Sequence, residues 1–255
     1  MAIFERAKQT SIPSAQLEVV HGESVWRRLI LFVLIVLTYL ICTVFGGLLM
    51  MLVPAANRTN LSTAVLVTAF IEIATVLLIA RPLGLLQREY FRLTKKSAIL
   101  AVLVGFAMFW MMTGWQLWGG SLGIDVENNG GFISRAVKST ESVPLTLTVL
   151  LIFPAFVAPF LEEIIYRGAI HGLWKHGVTR VAVSTVLFTV VHLNTLSLAA
   201  VWSLVPIFIC GLCFGIFRER TGSYLPSMLC HSAYNFIPVL FMIFYVVGGG
   251  ANGAF

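Results

Sequence analysis

The chain has 255 residues, of which 58% are hydrophobic and only 11% charged, whereas about a quarter of the residues of a soluble domain are charged. Its mean hydropathy of +0.93 and net charge of +6 argue against nucleic-acid binding, because in so apolar a chain basic residues read as cytoplasmic loops facing anionic lipid. The apolar blocks are long enough to span ~30 Å of hydrocarbon as helices and lack the alternation of barrel strands, so the predicted fold is all-α, a polytopic transmembrane helical bundle.

The first 25 residues, with His21, are polar and read as a solvated arm. They hold no apolar signal-peptide core, and the apolar run that follows is too long for one, so it is expected to insert and stay. Seven spans fit. The first covers about Leu29 to Val53, after Arg27 and Arg28. The second is about Leu61 to Ala80 and contains Glu72, which would line a chamber or tie helices together. The third runs about Ala98 to Trp118, with Trp110, Trp115 and Trp118 suited to an aromatic belt. Gly119 to Val143, with Asn128-Asn129-Gly130-Gly131, reads as an exposed loop. The fourth span starts near Pro144 and runs beyond Glu163. The fifth, about Val181 to Leu193, is short, and an extended form is an alternative. The sixth covers about Leu198 to Phe217, and the seventh about Pro226 to Val247, before a small Gly-rich tail.

With the N-terminus in the cytoplasm, 14 of the 17 basic residues fall on cytoplasmic segments, and only Arg58, Arg135 and Lys138 do not. The predicted orientation is therefore N-in, C-out. Of the four cysteines, Cys210 and Cys213 form a CxxC without a second pair, and helix packing is the expected role of all four. No internal repeat is visible.

Nearly all intramembrane polar chemistry lies in the last four spans. The fourth carries Phe160-Leu161-Glu162-Glu163-Ile164-Ile165-Tyr166-Arg167, the fifth Phe188-Thr189-Val190-Val191-His192, and the seventh His231-Ser232-Ala233-Tyr234-Asn235. Glu163 and Arg167, Phe188 and His192, and His231 and Asn235 are each four apart and share a helix face. Glu162 points about 100° away from Glu163, so one carboxylate can pair with Arg167 while the other points elsewhere. A single His or a single Glu–Arg pair is more often structural. Two Glu, one Arg, two His and one Asn on three apolar helices have few structural excuses. Counting along the helices puts Glu162 and His231 toward the cytoplasmic half but His192 toward the far end of its short span. His171 and His176, near Lys175, read as interfacial.

In this order, Glu162-Glu163-x-x-x-Arg167, Phe188-x-x-x-His192 and His231-x-x-x-Asn235 resemble the signature of the CPBP family, the type II CAAX prenyl endopeptidases with their bacteriocin-processing and Abi relatives. Gly211-Leu212-Cys213-Phe214-Gly215 and Arg218-Glu219-Arg220-Thr221-Gly222-Ser223 resemble the family's linking helix. The likeness covers about Pro154 to Pro238. It implies a helical intramembrane peptidase with a watery chamber and a peptide or protein substrate entering from the membrane or the cytoplasm. Glu162 and His192 would activate water, His231 and Asn235 would hold the substrate carbonyl and its oxyanion, and Glu163 and Arg167 would brace the site as an ion pair. The expected organisation is a cytoplasmic arm (1–28), N-terminal helices with the exposed loop (29–143), a catalytic core (144–247) and a tail (248–255). The expected location is the plasma (inner) membrane of a bacterium.

A second arrangement stays open. His192, His231 and one of Glu162 or Glu163 would make an open zinc set, with Glu163 the preferred ligand and the other Glu as base. No cofactor is certain, and HExxH is absent. Serine or cysteine catalysis is disfavoured: Ser232 and Cys230 adjoin His231 in sequence but not on its helix face, and no GxSxG is present. Two other functions compete with proteolysis. One is a non-catalytic membrane regulator or scaffold of the same fold, in an immunity or partner-binding role. The other is an ion or metal carrier, which the lack of a repeat disfavours.

Overall fold

The computed structural model describes residues 25–52, 61–81, 83–124, 152–193 and 196–247. His21, Arg58, Arg135, Lys138, most of the loop predicted at 119–143, the start of the fourth span (144–151) and the Gly-rich tail lie outside the described residues. The described residues form helices and turns with no strand.

Among the described residues seven long helical segments follow one another, with a single short 3-10 turn (Arg88–Phe91) between the second and third: α1 (Val25–Leu52), α2 (Leu61–Ala80), α3 (Lys95–Ser121), α4 (residues 153–170), α5 (Gly177–Val190), α6 (Leu198–Thr221) and α7 (Leu225–Val247). The fifth apolar stretch is thus a helix, which sets aside its extended alternative. It starts four residues before the predicted span and stops just short of His192. Two of the helices, α3 and α6, are long and apolar enough to cross a membrane. Many large side chains of α1 and α2, among them Ile41, Val44, Phe45, Leu77 and Leu78, stay exposed, a surface suited to lipid rather than water.

Helix ends follow local chemistry. α3 begins three residues earlier than its apolar run because Thr94 and Ser97 form a reciprocal capping box: Ser97 N–H donates to Thr94 Oγ1 at 3.2 Å, and Thr94 N–H to Ser97 Oγ at 3.1 Å. Ser197 caps α6 by accepting from Ala200 N–H. α6 stops at Gly222, whose φ of 66° lies in the left-handed region that glycine adopts without a Cβ clash.

Small residues set the helix spacing. α7 packs most extensively on α3 and α5 on α6, while α1 packs chiefly on α2. A Cβ at Gly105 of α3 would stand 2.5 Å from the Cys230 carbonyl oxygen of α7. Gly211 and Gly215 of α6 give α5 the same close approach, with Phe188 and Val181 each 3.1 Å from where a Cβ would be. Tryptophans also tie two of the helices together. Trp115 of α3 and Trp202 of α6 stack at 4.4 Å and exchange indole N–H bonds to each other's carbonyl at 2.9 and 3.2 Å. α2 lies along α4, which carries Glu72 toward the glutamate pair.

Candidate active site

α4 is not a uniform α-helix. Residues Ala158–Glu163 are α-helical, but π-helical turns precede them at Phe153–Val157 and follow them at Ile164–Ile170. The first has a readable cause. Ala158 N–H donates to Phe153 O, five residues back, so the next acceptor in register, Pro154 O, would need the N–H of residue 159. That residue is proline and has none. Asn235 supplies the donor from α7, its Nδ2–H reaching Pro154 O at 2.8 Å. A partly buried carbonyl left without a donor is costly, and irregular turns of this kind gather at functional sites. Asn235→Ala is expected to lower stability by about 1–3 kcal/mol, read as an earlier thermal transition of the detergent-solubilised protein. An unchanged transition would show that water satisfies Pro154 just as well.

Three of the predicted residues meet at one cavity. A space of about 120 Å³, room for several waters, is lined by Glu72, Leu161, Glu162, Ile165, Tyr166, Val191 and His192. Glu72 Oε2 and Glu162 Oε2 are both buried with no hydrogen-bond partner in the protein. His192 is exposed, so the cavity is reached from outside past it. Its Nδ1 lies 2.7 Å from Phe188 O. A carbonyl only accepts, so Nδ1 carries the hydrogen and Nε2 keeps its lone pair. The i, i+4 spacing of Phe188 and His192 thus fixes the tautomer as well as the shared face.

Four of the other predicted residues, Glu163, Arg167, Phe188 and His231, form a buried cluster behind the cavity. Glu163, Arg167 and His231 are almost fully enclosed, at 0, 0 and 5% exposure. Glu163 Oε2 lies 3.3 Å from Arg167 Nε, and Oε1 lies 3.3 Å from His231 Nδ1. The Arg contact is a charge contact, since neither atom has hydrogen-bond geometry. Arg167 Nη2–H donates to Gly211 O at 2.8 Å, and the guanidinium lies 4.7 Å from the Phe188 ring centroid and 5.5 Å from that of Phe214, each a cation–π contact. His231 stacks on Phe214 at 4.5 Å. Phe188 touches both imidazoles, with centroids 4.7 Å from His192 and 5.7 Å from His231. Its role is wider than sharing a face with His192: it separates the exposed imidazole from the buried one.

Neither His231 nor Asn235 lines the cavity. Each keeps hydrogen-bonding capacity beyond its present partner: His231 its Nε2, Asn235 its second amide hydrogen and Oδ1. No three His, Cys, Asp or Glu side chains among the described residues gather closely enough to hold a metal ion. Glu163 and His231 adjoin, but His192 does not join them, so the Glu163–His192–His231 zinc set is not assembled among the described residues.

The apparent mismatch in depth has a simple origin. Helical structure in α4 continues to Gly172, ten residues beyond Glu162. α5 then runs back toward His192, and the two side chains end beside the same cavity. Near this reversal lies a cluster that sequence reading missed. His171, expected to be interfacial, is buried. Its Nε2–H donates to Glu219 Oε2 at 2.9 Å, and Arg180 donates to both oxygens of the same carboxylate. Gly177 makes room for this carboxylate, because a Cβ there would lie 2.6 Å from Glu219 Oε1. Residues 171, 180 and 219 share no periodic signal, and only folding brings them together.

Residues 144–237, which include every motif residue named above but not Glu72, match the family model described as Type II CAAX prenyl endopeptidase Rce1-like. A protein of Mycoplasma capricolum subsp. capricolum, described as an uncharacterized protein, is 25% identical over 213 residues, 77% of this chain. The match spans 62% of that relative's length. No solved structure matches the chain.

Proposed function

From the premise that the chain belongs, through residues 144–237, to the CPBP family of Rce1-like proteins, we propose that it is an intramembrane endopeptidase. It hydrolyses a peptide bond of a membrane-associated or lipidated peptide with water activated by Glu162 and His192. The observation that carries this reading is the shared cavity, to which two different helical segments bring a carboxylate with an unpartnered oxygen and an imidazole with a committed tautomer.

Amide hydrolysis needs an activated water, stabilisation of the oxyanion and a proton for the leaving amine. A water in the cavity has Glu162 as a charged acceptor and His192 Nε2 as a neutral one. Either takes the water's proton as oxygen attacks the carbonyl carbon, while the other orients the water. The CPBP signature assigns the carbonyl to His231 and Asn235, and the second amide hydrogen that Asn235 keeps beyond its bond to Pro154 O is consistent with that role. Glu163 and Arg167 brace the site, holding His231 in place through Glu163 Oε1 and tying α4 to α6 through Gly211 O. The protein is read as a multi-pass, N-in, C-out bundle of about seven spans in a bacterial inner membrane. That reading rests on the apolar helices and the skewed basic residues.

The name of the matched family indicates the first probe, an internally quenched peptide ending in a farnesylated CAAX tetrapeptide. Purified protein in liposomes is expected to cut it at one bond, as read by mass spectrometry. Because water attacks directly, acid-quenched protein should carry no acyl adduct during turnover. An accumulating adduct on a serine or cysteine would replace this mechanism with a covalent one.

A further inference from the structure

The proposed mechanism leaves unnamed the group that protonates the departing amine. The cavity offers one residue that the family motifs do not contain: Glu72, from α2, which lies outside the matched segment. Resting on the endopeptidase reading, we propose that Glu72 is the general acid of the reaction and holds one proton in common with Glu162.

Charge counting supports the shared proton. Three carboxylates stand at or next to the cavity: Glu72 from α2, and Glu162 and Glu163 from α4. The charged or titratable groups facing them are Tyr166 and Arg167 from α4, His192 after α5 and His231 from α7. Arg167 lies against Glu163 and its charge also reaches Glu162 from outside the cavity, and Glu163 also engages His231. His192 donates its Nδ1 hydrogen to a backbone carbonyl and offers only a lone pair inward. No Lys or Arg lines the cavity. Glu72 and Glu162 therefore face one space without a cation between them, each with a buried, unpartnered oxygen. Two such carboxylates cannot both ionise cheaply, and a single proton divided between them relieves the repulsion.

The step balances. Water oxygen bonds to the carbonyl carbon and gives its proton to Glu162. The C–N bond breaks as Glu72 gives its proton to the leaving nitrogen. The pair ends with one proton, as it began, now on Glu162, and transfer back to Glu72 through a cavity water resets it.

An ester analogue separates this role from a structural one. In the farnesylated probe, the scissile amide nitrogen is replaced by oxygen, and an alkoxide leaves with far less help from an acid than an amide nitrogen needs. Glu72→Gln, which keeps size and shape, is expected to slow amide cleavage by ~100-fold or more and ester cleavage by less than ~5-fold. Glu162→Gln should slow both. Retained ester turnover in Glu72→Gln also shows that the variant is folded. Equal slowing of both probes, or no slowing of either, would overturn the assignment of Glu72 while leaving the endopeptidase reading intact. Failure of the wild-type protein to cut either probe would remove that reading, and this assignment with it.

Discussion

Glu162→Gln will lower kcat on the farnesylated probe by about 10³-fold or more while leaving substrate affinity and thermal stability almost unchanged. The rate loss follows from removing the charged acceptor for the water's proton, a contribution of typically 10²–10⁴ that grows when the same group also positions the nucleophile. Stability should not suffer, because Glu162 Oε2 is buried without a hydrogen-bond partner, and exchanging an unpartnered carboxylate for a neutral amide relieves a desolvation penalty. His192→Ala should match this loss of rate. His192 is exposed, so its removal empties little of the core. Steady-state rates, binding of an uncleaved ester-free analogue and melting of the same preparations test all three statements together. Turnover within ~10-fold of wild type in either variant would sink the assignment of the water-activating pair.

Arg167→Ala will have the largest effect on stability, about 3–5 kcal/mol, because it leaves the Glu163 carboxylate buried with no compensating cation. The loss is not only one of charge. Arg167 also satisfies Gly211 O and lies against Phe188 and Phe214, so α4, α5 and α6 all lose a common contact. Arg167→Lys should recover little, since an ammonium cannot present the planar fork that reaches Glu163 and Gly211 together. The double variant Glu163→Gln/Arg167→Met should be more stable than Arg167→Ala, because removing both charges removes the unpaired one. Unfolding in mild detergent can be followed with a thiol-reactive dye, since Cys42, Cys210 and Cys230 are buried and become reactive on opening. Equal stability of Arg167→Ala and wild type would mean that water already shares the buried pair.

The two effects separate because the motif residues occupy two compartments. Glu162 and His192 face the cavity, where the proposed chemistry would take place. Glu163, Arg167 and His231 lie behind Phe188 and hold the helices together. Adjacent glutamates therefore do opposite work, and the ~100° turn between neighbouring helical positions is what sends them to different compartments.

Much of this was written in the chain. Helices of apolar residues long enough for hydrocarbon are legible because each satisfies its own backbone and needs no partner to be recognised. The i, i+4 pairs were legible because helical geometry alone places Glu163 against Arg167 and His192 over Phe188. Tertiary structure decided what local periodicity does not encode. The continuation of α4 to Gly172 brings Glu162 level with His192. The missing N–H of Pro159 becomes meaningful only when Asn235 arrives from α7. Glu72, His171, Arg180 and Glu219 acquire partners far away in sequence. Contacts between helices depend on which faces meet and how closely small residues such as Gly105 and Gly211 let them approach, so the chemistry of the site was readable residue by residue but its division into a wet cavity and a dry ion pair was not.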